Sequence, residues 1–251
     1  MSTDNVMAVS LQAMQGDMAR VQQISMNMAN ALTPGYKRGV AVQAPNLTAF
    51  SEAIETAAQQ VQAQSSLTMN FQVDARPGTL KRTGQSLDVA LMGAGYFEIA
   101  AGNGPAYTRQ GNFQLDARGR LVTPQGYPVI GRDGEIYLKS ANVVISEKGV
   151  ITDPGANEQD SPLGVLKTVE FDSDVALERL GDGLFGVPAG LATLSGEMGV
   201  RQGFLENSNV NSAQEMVLLL QAMRHFEGMY KMTQAHDEML GMAIRKLGDT
   251  N

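Results

Sequence analysis

Ser212-Ala213-Gln214-Glu215-Met216-Val217-Leu218-Leu219-Leu220-Gln221-Ala222-Met223-Arg224-His225-Phe226-Glu227 opens the stretch that decides how this chain is organised. Ser212 followed by Glu215 has the spacing of a capping box, so a helix is predicted to start here. Downstream, Met216, Leu219, Met223, Phe226, Tyr230, Thr233, Asp237, Leu240, Ile244 and Leu247 recur in alternating steps of three and four. That is a heptad seam with Thr233 and Asp237 as polar exceptions. Met229, Met232 and Met239 widen the apolar stripe. The helix is predicted to run to Leu247, before Gly248, a length of roughly 50 Å at the helical rise.

The other end of the chain carries the same period. Met7, Leu11, Met14, Met18, Val21, Ser25, Met28 and Leu32 form a second seam, with Ser10, Gln12, Gln15, Asp17, Arg20, Gln22, Gln23 and Asn27 between them. Thr33-Pro34-Gly35 should end this helix, because proline disfavours helix at the residue before it and Gly35 accepts a turn. An amphipathic helix of this kind needs an apolar partner. The simplest arrangement pairs the two ends as a coiled-coil-like stem and turns the surplus stripe toward neighbouring subunits. Methionine suits such a face because it adapts to unlike surroundings. On this view the ends stay largely unpaired until an assembly supplies their core.

Between the helices the period changes to two. Leu67, Met69, Phe71 and Val73 alternate with polar residues, and a turn follows at Asp74–Gly78. Short apolar runs then recur at Leu87–Leu91, Tyr96–Ile99, Gly119–Val122, Tyr127–Ile130, Glu135–Leu138, Val143–Ile145 and Val165–Leu166, separated by glycine-bearing turns. Short strands with regular turn signals predict an antiparallel β domain. Pro45 to Ser66, rich in Ala, Gln and Ser, is expected to be a short helix or a connector ordered on assembly. Asn157 to Pro162 should be a polar surface loop. The fold class is therefore α+β, divided as 1–38 (N-terminal helix and turn), 39–82 (connector with a strand), 83–205 (β-rich domain) and 206–251 (C-terminal helix).

Composition narrows the function. The 251 residues carry a net charge of −7 and no basic cluster longer than Tyr36-Lys37-Arg38 or Leu80-Lys81-Arg82, so no face balances nucleic-acid phosphate. Absence of cysteine excludes disulfides, thiolate metal sites and a cysteine nucleophile. No basic start precedes an apolar run, so a cleaved signal peptide is not expected, and no apolar stretch approaches the roughly 20 residues of a membrane span.

Candidate chemistry is sparse. Gly181-Asp182-Gly183-Leu184-Phe185-Gly186 matches a GxGxxG string, but Val187-Pro188-Ala189-Gly190 follows where dinucleotide binding would need a helix. A hairpin turn is the better reading. His225 and His236 stand eleven residues apart on one helix and cannot share a metal within one chain. Their acidic neighbours Glu227, Asp237 and Glu238 read as solvated faces or ion pairs, with a pH switch at a subunit interface as the sharper alternative. Asn46-Leu47-Thr48 matches a glycosylation acceptor, a short string of high chance rate. No G-x-S-x-G string is present. No cofactor, metal or small-molecule substrate is expected.

Met28-Ala29-Asn30-Ala31-Leu32-Thr33-Pro34-Gly35-Tyr36-Lys37-Arg38 resembles the N-terminal signature of bacterial flagellar rod and hook proteins. Leu87–Leu91 with Gly93, Gly95 and Phe97 looks like that family's strand entering its β domain. Tyr107-Thr108-Arg109, Gly111, Phe113, Asp116, Gly119, Leu121-Val122, Gly126, Val129 and Gly131 continue the match in order. Glu206-Asn207-Ser208-Asn209-Val210-Asn211 is similar to the motif before the family's last helix. The resemblance implies an axial component of the basal-body rod, crossing the periplasm and exported through the flagellum's own type III machinery without signal cleavage. It implies homotypic and heterotypic rod subunits as partners and a mechanical role, torque passing through interlocked terminal helices. Arg224-His225-Phe226-Glu227 and Tyr230-Lys231-Met232 resemble the proximal rod protein; the alternatives are the distal rod protein, or a peptidoglycan-processing enzyme or chaperone of the same machine. The expected assembly interface is Leu11, Met14, Met18, Val21 and Met28 with Met216, Leu219, Met223, Phe226, Leu240 and Ile244. The family-motif residues are Asn30, Gly35 and Tyr36, expected to fix the bend after the first helix, with Asn207, Ser208, Asn209 and Val210.

Overall fold

A computed structural model describes residues 3–42, 70–102, 104–155, 161–171, 177–187, 194–195 and 198–248. Two helices, α1 (Thr3–Ala29) and α2 (Ser212–Gly248), flank an antiparallel β-rich region, an α+β arrangement. The described part of the Leu67–Val73 strand is Asn70–Val73, which pairs with Gly39–Val42. The Pro45–Ser66 connector and the Asn46-Leu47-Thr48 string lie outside the described residues, as does most of the Asn157–Pro162 loop.

The described residues form two compact units. One holds both helices and the strand Gly39–Val42; the other holds Ala29–Arg38 and the chain from Gln72 to Asn211. In the second unit a six-stranded sheet runs in the order Glu178–Gly181, Leu184–Gly186, Gly104–Thr108, Tyr96–Ala101, Thr168–Glu170 and Leu194–Ser195, every neighbour antiparallel. Both faces of this sheet are covered. Alternation along Tyr96–Ala101 sends Phe97 and Ile99 into the main core, with Val129, Leu121 and Ile151. Tyr96 goes to the opposite face, where it packs with Tyr107, Val169 and Phe185. Phe97 meets Phe113 edge-on at 5.1 Å between ring centres.

Most of the apolar runs fall on ladders or bridges. Strands outside those runs include Gly104–Thr108, Thr168–Glu170, Gly199–Gln202, paired with Val89–Met92, and Phe204–Glu206, paired with Leu80–Arg82. At Gly181–Gly186 the chain makes a hairpin, Glu178–Gly181 against Leu184–Gly186. Asp182 and Gly183 sit at its tip with φ of 50° and 76°, the left-handed pair that a two-residue hairpin turn demands.

The end of α1 corrects the heptad. The seam ran to Leu32, but the helix stops at Ala29 and successive turns carry the chain through Asn30 to Gly35. Thr33 N donates to Asn30 O at 3.1 Å and Tyr36 N to Thr33 O at 3.3 Å. Leu32 is thereby released from the helix face and left 96% exposed.

Candidate functional site

Two places collect the residues singled out above. The first, in the β unit, is where the segment after α1 meets the segment before α2. Lys37 and Arg109, both buried, share the buried carboxylate of Glu206: Lys37 Nζ lies 2.6 Å from Oε1 and Arg109 Nη1 3.2 Å from Oε2. Backbone groups complete the node. Gly78 N donates to Glu206 Oε1 at 2.8 Å, Lys37 Nζ donates to Arg76 O at 2.9 Å, and Arg109 Nη2 donates to Gly93 O. Burial pushes the Lys37 ammonium below its ordinary pKa, and Glu206 pulls the other way. Arg109 is depressed for the same reason.

The family-motif residues surround this node. Gly35 N donates to Glu206 O at 2.7 Å. At φ +68° Gly35 packs so closely that a Cβ would stand 2.4 Å from the Arg109 carbonyl carbon, which only glycine accommodates. Tyr36 is buried beneath the Arg179 guanidinium, 4.6 Å from its ring centre. Asn209 bridges three strands of chain, its Oδ1 accepting from Arg38 N at 2.6 Å and its Nδ2 donating to Asp74 O and Arg76 O. Asn207 Nδ2 donates to Thr79 Oγ1, Thr33 Oγ1 donates to Asn30 Oδ1, and Val210 N donates to Ser208 Oγ. The Lys37–Glu206–Arg109 node was not singled out from sequence. Its only signal was that all three charges fall inside the four motifs of the rod-family resemblance.

The second place is the helix pair. His225 Nδ1 lies 2.5 Å from Asp17 Oδ2, and Asn27 Nδ2 donates to Glu215 Oε2 at 3.1 Å. The two contacts are ten residues apart on each helix and in opposite sense, so α1 and α2 run antiparallel. Asn27 also exchanges two hydrogen bonds of 2.9 Å with the backbone of Gly39 and receives one from Gln23 Nε2. His225 thus pairs with an acid on the other helix rather than with its sequence neighbour Glu227.

Within one chain, burial on these helices does not follow the heptad seam. Among their described side chains, Ser10, Asp17, Gln23, Asn27 and Glu215 are buried, with only Ile24 and Ala222 as apolar company. Leu11, Met18, Met216 and Met223 are about half exposed or more, reaching 63% at Met18. Met14, Val21, Met28, Leu219 and Phe226 are partly buried; the side chains of Leu240 and Ile244 lie outside the described set. The helices meet within one chain through polar contacts. Part of what stays uncovered is apolar. An open groove of about 780 Å³ runs beside the contact, lined by Met18, Val21, Met223 and Phe226 and edged by Gln15, Gln22 and Glu227.

Comparison with known proteins gives the family. A family model described as the flagellar basal body rod FlgEFG protein C-terminal matches residues 201–246, and one described as the flagellar hook protein FlgE/F/G D1 domain matches residues 90–153. The flagellar basal-body rod protein FlgG of Buchnera aphidicola subsp. Acyrthosiphon pisum is 34% identical over 242 residues, covering 86% of this chain and 90% of that one. The chain belongs to the flagellar basal-body rod protein family. FlgG of Agrobacterium fabrum is 32% identical over 96% of this chain and 98% of its own length, and the basal-body rod protein FlgF of Salmonella typhimurium is 32% identical over 88% and 89%. As a rod-family member the chain is a structural protein. The C-terminal rod-family match takes in the strand bearing Glu206 and most of α2.

Proposed function

We propose that the chain is an axial subunit of the flagellar rod whose two helices form a stem that packs through its outward apolar face against the stems of neighbouring rod subunits, passing torque along the shaft. The observation that carries this reading is the apolar surface left on the helix pair: Leu11, Met18, Met216 and Met223 exposed beside an apolar groove, while polar side chains occupy the interior. A contiguous apolar face of this kind marks a surface that another protein covers. FlgG and FlgF relatives match at 34% and 32% identity, so position along the rod is read from the local sequence. Arg224-His225-Phe226-Glu227 favours the proximal rod. Export through the flagellar type III machinery and a basal-body location spanning the periplasm belong to the same proposal.

The test is Met223→Asp, expressed in a strain lacking the native gene. Met223 is half exposed, so the chain should fold and be exported, yet the charge would sit in the middle of the packed face. The expected result is soluble exported protein, incomplete rods by electron microscopy and loss of swimming. Normal motility would refute the packing face.

A further inference from the structure

The buried and exposed positions of the two helices are related by a single step. On α1 the buried Ser10 and Asp17 immediately precede the exposed Leu11 and Met18; on α2 the buried Glu215 and Ala222 immediately precede the exposed Met216 and Met223. One residue is a turn of about 100° around a helix. Each helix is therefore rotated by about that angle from the setting in which the two apolar heptads would face each other. Hydrophobic burial alone favours the rotated-in setting. Something specific must hold the observed one.

We propose that the Asp17–His225 and Asn27–Glu215 contacts are a rotational latch: they hold the polar faces of α1 and α2 together and so keep the methionine-bearing faces outward. Asp17, Asn27 and Glu215 are almost completely buried, and each has a partner on the other helix. Turning either helix to bring Met18 or Met223 inward separates both pairs and leaves the carboxylates without these donors, an arrangement that buried charge resists. The latch also sets register. A slip of one heptad would place Asp17 opposite Leu218 or Met232, neither of which donates a hydrogen bond. The methionine faces impose no comparable demand, because methionine repacks against many shapes. Gly39, clamped by both bonds to Asn27, ties the latch to the strand that follows α1 in sequence. Only the use of the outward face depends on the rod-subunit reading; the latch itself is a property of one chain.

The natural chain has no cysteine, so Met18→Cys introduces a single reporter whose maleimide labelling rate, read on dilute purified full-length protein, measures exposure at that position. In the otherwise native background labelling should be fast. Adding Asp17→Ala, Glu215→Ala and His225→Ala removes the latch with good helix formers, and the rate should fall at least tenfold with the helical circular dichroism retained. Asp17→Asn with His225→Gln keeps a hydrogen-bonded pair and should label at the native rate. An unchanged rate in the alanine variant, or an equal fall in the Asn/Gln variant, would overturn the latch. Should the alanine triple lose its helical signal, His225→Ala alone is measured in its place: a slower rate supports the latch and an unchanged one overturns it. Because labelling needs no rod, a failure of the packing-face proposal in cells would leave this result untouched.

Discussion

Glu206 is the residue on which the β unit's junction turns. Its two carboxylate oxygens hold Lys37 and Arg109, and its carbonyl accepts from Gly35. Removing it strands two buried cations, whereas removing Lys37 leaves Glu206 paired with Arg109. Glu206→Leu should therefore cost about 3–5 kcal/mol, and Lys37→Met clearly less; denaturant unfolding of the two variants checks the order, and equal losses would rule out the shared-carboxylate account. The same node has a pH signature. The folded chain gives up the Lys37 proton below 10.5, where the unfolded chain still holds it, so this residue makes stability rise with pH across the alkaline range just under that value. Tyr96 and Tyr107, raised by burial above 10.0, act in the opposite sense: the unfolded chain loses their protons first, so stability falls as pH passes that point. Lys37→Met should abolish the rise and leave the fall. Unfolding measured across the alkaline range in both proteins isolates the difference.

At the scale of elements, the helices were the most legible part of the sequence and also the place where it misled. Their existence, and the hairpin at Asp182-Gly183, follow from local rules: a 3-4 apolar period for the first, two residues tolerant of positive φ for the second. The face that α1 turns toward α2 did not follow. A heptad identifies the apolar side of a helix, but which side a given partner covers depends on polar pairs such as Asp17–His225 that are far apart in sequence. Gly228 offers a test of how the outer face is used. It lies within α2, and a Cβ there would meet nothing within 4 Å. Gly228→Ala should thus stabilise the isolated chain by about 1 kcal/mol, seen as a raised unfolding midpoint. If neighbouring helices approach closely at that position, the same variant should reduce motility despite its greater stability.

For the whole molecule, the contrast between the two units governs what substitutions do. The β unit buries large apolar side chains on both faces of its sheet, whereas the described interior of the helix pair is mostly polar. A Met18→Asp, Met223→Asp double variant should accordingly unfold within about 0.5 kcal/mol of the native chain, as expected for exposed positions, while failing to enter the rod. Loss of stability instead would mean that these side chains pack within the chain. The sequence by itself determined the α+β class, the helix-strand-helix order, the strands that carry an apolar run and the rod-family resemblance, because period, turn chemistry and ordered motifs are local. Only the tertiary structure decided that Lys37, Arg109 and Glu206 share one buried site and that the methionine faces point outward. Each of these depends on groups brought together across most of the chain, where the cost of burying a charge without its partner outweighs the preference of the apolar seam.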